Sequence, residues 1–442
     1  MHDVVPLPPA RRHFGPVLAE DPTALPMAAS LAPRGSWMRV RADETLRGVV
    51  ARDGLDVPRG GGMDVLPQEM ILQGHAEPLT SAAFDRSGNT VLTASFDQTA
   101  RLWDATTGEV KGVLEGHTTS VTGAAFDPSG DAVVTASDDN TARLWDATTG
   151  ELKCVLEGHT GMVTSAVFDP TGDAVVTTSG DHQARLWDAR TGALKRVLEG
   201  HAGGVFVAAF DPSGEALVTA SRDGTARVWD ARTGECRAVL EGHTDEVNGA
   251  AFDPSGDAVV TSSGDGTARL WDARTGQCRA VLEGHSGAVT CAAFDPSGDT
   301  VVTASRYGTA RLWDARTGAL KRVLEGHTGH VTSAAFDPSG DAVVTMSDDR
   351  TARVWDATTG GCRGVLALGF CASDARFGDS GEEAITFCGP NAAANLCALV
   401  VRCEVPADWG VYDGPLSVVS RASCGAGMLR CGLRRPSGPH AE

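Results

Sequence analysis

Tyrosine is almost missing from this chain, at two residues in 442, and all aromatics together make up only 5%. Nine of those aromatics are nonetheless Trp, so Trp serves a particular purpose here. No run of 18 apolar residues occurs, which excludes a helical membrane span. Residues 1–26 hold no long apolar stretch after Arg11 and Arg12, which excludes a secretory signal. No Cys-x-x-Cys pair is present. Seven of the eleven cysteines fall irregularly between Cys362 and Cys431, a spacing that fits neither a zinc site nor a disulfide framework. Reduced thiols and an intracellular location, cytoplasmic or nuclear, are the expectation. Basic residues are also short, at 38 Lys and Arg against 57 Asp and Glu. Of the net −19, residues 75–368 carry −16, because 1–74 hold nine acids against eight bases and 369–442 eight against six. Such a body repels nucleic-acid backbones and anionic membranes, so neither is expected as a partner. What the chain does have is 42% hydrophobic residues, enough for a sizeable core.

It also has a period. Gly-His recurs at His75, His117, His159, His201, His243, His285 and His327, each step being 42 residues. Trp-Asp recurs at Trp103, Trp145, Trp187, Trp229, Trp271, Trp313 and Trp355, again every 42. Two markers locked in register seven times define seven repeats, numbered here 1 to 7.

One repeat can be read locally. Residues 121–126 alternate around small side chains and end in Phe126, which predicts a strand. Asp127-Pro128-Ser129-Gly130 is turn chemistry, with Pro fixing φ and Gly accepting positive φ. Residues 132–137, rich in Val and Thr, predict a second strand. Turns at 138–140 and 148–150 then separate a third strand, 141–147, from a fourth, 151–157. A four-stranded unit cannot bury both faces alone, so it must stack on its neighbours, and ring closure removes the exposed ends. The expected fold is all-β, a propeller of four-stranded blades.

From about residue 70 to 366 the sequence resembles the WD-repeat β-propeller family. The resemblance implies seven regular blades in 66–368, with repeats starting near 75, 117, 159, 201, 243, 285 and 327. It also implies a buried relay joining His, a Ser or Thr of the second strand, Asp of the next turn and Trp. On that pattern the structural tetrads are His117, Ser137, Asp139 and Trp145; His201, Ser221, Asp223 and Trp229; and His243, Ser263, Asp265 and Trp271, with equivalent sets in repeats 1, 3 and 7. A hydroxyl can accept from an indole N–H and donate onward, and imidazole can pass the chain to a carboxylate. The set recurs at constant offset, so it serves the fold and is no hydrolase triad. No catalytic residue, metal ligand or cofactor is expected.

The ends leave an alternative open. Residues 69–73 look like a fourth strand, yet 362–366 also supplies one. Residues 377–386 line up with 336–345, so 369–406 is a degenerate repeat-like segment. An eighth, degenerate blade closed by 69–73 would use every strand. Residues 1–65 and 407–442 have no period and are expected to be a disordered leader and tail.

Repeat 6 departs from the rest, because Tyr307 stands at the Asp position. Seven arginines two before each Trp, Arg143 among them, suggest blade-to-blade ion pairs. The loops after Gly-His and around the tetrad Asp are where the copies differ, and the resemblance places them on one rim. The candidate partner-binding residues there are Met162, His182, Phe206 and Arg222, with Arg306, Tyr307, His330 and Arg350 across the rim. Aromatics and Arg are common interface anchors. The expected function is a non-catalytic scaffold, a monomeric propeller within a complex, binding other proteins or peptides of acidic or phosphorylated character. Two alternatives stand beside it. Trp-Asp-x-Arg at Trp187, Trp229, Trp271 and Trp313 resembles the adaptor-docking box of cullin-type ubiquitin ligase receptors, although Ala226 and its equivalents replace the box's aliphatic residue. A propeller enzyme would need a unique polar cluster at the channel.

Overall fold

A computed structural model describes residues 68–367, 383–389, 397–403, 417–418 and 433–434. The expected leader 1–65 lies outside the described residues. So does the 407–442 tail, apart from two two-residue strands.

Each repeat folds as four antiparallel strands in sequence order, and the sheet of repeat 7 is extended by the short strands Ser417–Val418, parallel to Cys362–Ala367, and Leu433–Arg434. In repeat 2 the strands are Val121–Phe126, Ala132–Ser137, Ala142–Asp146 and Leu152–Leu156, close to the expected limits. Asp127 stabilises the first hairpin: its carboxylate accepts the Ala132 amide at 2.8 Å, and its carbonyl accepts the Gly130 amide at 3.0 Å. Asp146, the Asp of Trp-Asp, accepts the Thr148 and Thr149 amides in the last hairpin, and Lys153 sits 3.2 Å from it.

The hydrophobic core lies between sheets, as a stack of two-faced units requires. Val134, Leu144 and Leu156 of repeat 2 pack with Val163, Val175 and Trp187 of repeat 3. The same cluster joins repeats 6 and 7 through Leu312, Leu324, Val331 and Trp355. The first strand of each repeat packs on the first and second strands of the one before. Truncating one of these buried Trp side chains costs about 3–5 kcal/mol.

An eighth sheet has three strands. The N-terminal strand Gln68–Gln73 pairs with Cys397–Cys403, which pairs with Glu383–Gly389. Leu72 packs against Leu79, Val91 and Trp103 of repeat 1, the place Leu156 fills for repeat 3. The two candidate fourth strands are therefore both used. Residues 68–73 serve this eighth sheet, and Cys362–Ala367 completes repeat 7.

Candidate functional site

The rim is built on the relay, and the relay differs from expectation at one residue. In repeat 2 the Trp145 indole donates to Thr135 Oγ1 at 2.9 Å, and Thr135 Oγ1 lies 2.8 Å from His117 Nε2. His117 Nδ1 donates to Asp139 at 2.8 Å. The bridging hydroxyl is thus Thr135, not Ser137. Thr219 and Thr261 likewise replace Ser221 and Ser263 in their relays. Thr135 lies deeper in the strand, within reach of the indole. Ser137 ends the strand, where its hydroxyl accepts the Asp139 amide and braces the Thr119 carbonyl. The same Thr recurs in all seven repeats, a constant column that could have identified it.

The relay has one polarity. A carboxylate only accepts, so His117 Nδ1 carries the hydrogen and Nε2 accepts from Thr135. Burial, aided by the Arg143 charge, pulls His117 below the usual histidine value despite Asp139. Burial raises Asp139, but hydrogen bonds from Thr141, His117 and the Thr118 amide outweigh it and hold it at about 2. At neutral pH a neutral imidazole therefore meets an ionised carboxylate. Asp139 also ties the rim loops together by accepting the Thr118 amide and the Thr141 hydroxyl.

Repeat 6 keeps the inner half of this relay. Trp313 donates to Thr303 at 2.8 Å, and Thr303 lies 2.7 Å from His285 Nε2. Where Asp would receive Nδ1, the nearest group is the Thr309 hydroxyl at 3.4 Å. Burial, with the Arg311 charge, holds His285 at about 4. Tyr307 turns outward and is 65% exposed. Its ring lies over Gly287, where any Cβ would collide with it.

The remaining candidates fall into two groups. Met162, 46% exposed, belongs to repeat 3 with exposed His182, and its carbonyl accepts the Gly180 amide. Arg222 is exposed on repeat 4, 3.7 Å from Glu246. Phe206 is the second residue of the strand Val205–Phe210 and is half-buried against the cluster containing Val247 and Phe252. The second group spans repeats 6 and 7. Gly308 sits against the His327 and Gly329 carbonyls, which brings exposed Arg306 and Tyr307 beside the repeat that holds His330 and Arg350. His330 is 3.4 Å from Asp348. Among the described residues, Arg306 and Arg350 have no carboxylate within 4.0 Å.

His182 and Arg350 share an unusual backbone. Both sit one residue past the relay Asp with φ of 71° and 65°, as do Gln98 and Asn140, while repeats 4, 5 and 6 use Gly224, Gly266 and Gly308. Non-glycine residues are uncommon in this region.

The arginine column is not a set of ion pairs. Among the described residues no carboxylate lies within 4.0 Å of any of the seven, and each Nε is buried without a partner. The Arg143 guanidinium instead packs over Gly116 of its own repeat, beside Trp145. In repeats 6 and 7 the guanidinium carbon lies 6.0 and 5.9 Å from the Trp ring centre. The Trp-Asp-x-Arg arginines, Arg190, Arg232, Arg274 and Arg316, are exposed turn residues. Among the described residues no cluster of three or more His, Cys, Asp or Glu could hold a metal ion. No helix there is long and apolar enough to cross a membrane.

Comparison with known proteins agrees with this geometry. The family model described as the IFT122 first beta-propeller matches residues 162–401, more than half of the chain. The model described as WD domain, G-beta repeat, matches 67–104 and 108–146. The protein is similar to the "Dynein assembly factor with WD repeat domains 1" of Xenopus laevis, at 44% identity over 39 residues. The Danio rerio protein of the same name is 47% identical over 38 residues. Each match spans 9% of this chain and 9% of the relative, about the length of one repeat. Among solved structures, the computationally designed Ika8 protein is similar at TM-score 0.68 and 30% identity, over 76% of this chain and 100% of its own. That share of 442 residues is about 336, or eight units of 42.

Proposed function

The chain belongs to the WD-repeat β-propeller family, and on that premise we propose that it is a non-catalytic intracellular scaffold whose rim loops bind partner proteins. The supporting observation is how the polar residues are used. His, Thr, Asp and Trp of each repeat are consumed by the relay, as in His117, Thr135, Asp139 and Trp145. Diversity and exposure are left to the rim loops. There Arg306, Tyr307 and Arg350 form a cationic, aromatic patch on an otherwise acidic body, suited to an acidic or phosphorylated segment of a partner. The dynein assembly factors match over one repeat only, so no partner of theirs is carried over.

The test is capture of acidic and phosphorylated peptides by the purified chain. Replacing Arg222, Arg306 and Arg350 together with Ala should abolish capture while the far-UV spectrum stays that of the parent. Undiminished capture would remove the cationic rim from the reading.

A further inference from the structure

Six repeats hold a carboxylate in a pocket of donors, and the seventh has the donors without the carboxylate. In repeat 2 one oxygen of Asp139 receives His117 Nδ1–H at 2.8 Å and the Thr118 amide at 3.1 Å, and the other receives the Thr141 hydroxyl at 2.6 Å. The arrangement recurs around Asp97, Asp223, Asp265 and Asp349. Around Asp181 the His159 and Thr160 donors recur, while Gln183, in place of the Thr, gives only its backbone amide.

Repeat 6 carries the same donors: His285 Nδ1, the Ser286 amide and the Thr309 hydroxyl. Among the described residues the Ser286 amide has no acceptor, and His285 Nδ1 has only the 3.4 Å contact with Thr309. The inner half of the relay is in place for the same polarity. Trp313 donates to Thr303, which lies 2.7 Å from His285 Nε2. With Thr303 donating to Nε2 as in the sister repeats, Nδ1 carries its hydrogen toward the gap, the tautomer that an entering carboxylate selects. Tyr307 does not plug the gap, because its ring is 65% exposed and lies on Gly287.

The local field suits an anion. Neither rim loop of repeat 6 contains an acid, since Ser286-Gly287-Ala288 and Arg306-Tyr307-Gly308 carry none. The other six repeats each keep at least the relay Asp. Arg306 is exposed on the same rim loop, its amide bonded to the Ala288 carbonyl, and Arg311 lies near enough to act on His285.

We propose that repeat 6 is an open carboxylate site, in which His285 Nδ1, the Ser286 amide and the Thr309 hydroxyl receive an Asp or Glu side chain of a partner protein beside Tyr307. A planar two-oxygen group is favoured because the sister repeats seat one on these same donors. The entering carboxylate completes the relay, and Tyr307 supplies the exposed aromatic face that such an anchor needs. The owner of the carboxylate rests on the scaffold reading above; the cradle does not.

The probe is acetate, titrated into the intact chain against sodium chloride of equal ionic strength, with the His285 ring followed by NMR. Wild type should show a saturable shift of His285 that chloride does not reproduce. Tyr307→Ala should keep the response, and Thr309→Val should weaken acetate binding several-fold. Tyr307→Asp should fill the cradle from within, so His285 resembles its six sisters and acetate moves nothing. A His285 signal unmoved by acetate in wild type and in Tyr307→Ala would overturn the site, as would an acetate response surviving Tyr307→Asp. A stronger response to inorganic phosphate would overturn the carboxylate assignment. An absent acetate response with peptide capture intact sinks the cradle alone. The reverse result sinks the scaffold reading alone.

Discussion

Thr135 receives the indole N–H of Trp145 at 2.9 Å and sits 2.8 Å from His117 Nε2, so one hydroxyl satisfies two buried groups. Thr135→Val keeps the shape and removes both bonds. Each orphaned partner should cost about 1–3 kcal/mol. Ser137→Ala loses a brace on the Asp139 amide and the Thr119 carbonyl and should cost about 1 kcal/mol. Urea denaturation of the two variants ranks them. If Ser137→Ala proved the more damaging, the relay would run through the other residue.

That ranking also shows what the sequence can reveal. Gly-His and Trp-Asp mark the repeat because each sits where only one residue type works. Thr135 and Ser137 are both constant and two apart on one strand, so alternation places them on the same face. What separates them is depth: Thr135 pairs with Arg143 inside the ladder to the third strand, whereas Ser137 lies beyond its last pair, Ala136 with Ala142, and no spacing announces where that ladder ends. Phe206 stands one residue inside the strand Val205–Phe210, and its half-burial there is not readable from the loop pattern. Tyr307 was legible as an exception. The donors it leaves behind were not, because one of them is the backbone amide of Ser286.

The arginine column gives a salt test. Arg143 is without a carboxylate partner, so Arg143→Met strands no charge and should change stability by about 1 kcal/mol or less. The wild type should also melt at nearly the same temperature in low and high salt as far as these residues contribute. Gly116→Ala should be worse, because φ is +148° and the new methyl meets the Arg143 guanidinium. A loss of about 3–5 kcal/mol in Arg143→Met would instead signal a broken buried ion pair.

His182 and Arg350 hold φ values of 71° and 65° at positions where Gly224, Gly266 and Gly308 serve other repeats. His182→Gly and Arg350→Gly should each relieve strain and raise stability by up to about 1 kcal/mol. If the rim binds through them, the same changes weaken peptide capture. A variant that gains stability and keeps full capture would mark the side chain as idle.

Stability should fall in acid in two stages. The relay histidines are held below their ordinary value of 6.5, so the unfolded chain binds protons first as pH drops, and folding weakens from about 6.5 downward. The relay aspartates, held at about 2 in Asp139, Asp223, Asp265 and Asp349, contribute stability that is present above 3.8 and is lost as pH falls toward 2. Denaturation midpoints across pH 2–8 check both. A midpoint that does not move between pH 7 and 4 would mean the histidines are not buried neutral.

The eighth sheet joins Leu72 to Ala398, almost the two extremes of the repeat array. A ribosome must deliver nearly the whole polypeptide before that ladder can form, so the emerging repeats wait unsealed for most of synthesis. Cutting the chain in a loop between repeats 3 and 4 and fusing the old termini would leave every ladder intact. It would also make the two strands of the last seam to close, Gln68–Gln73 and Cys397–Cys403, successive strands of the eighth sheet in chain order.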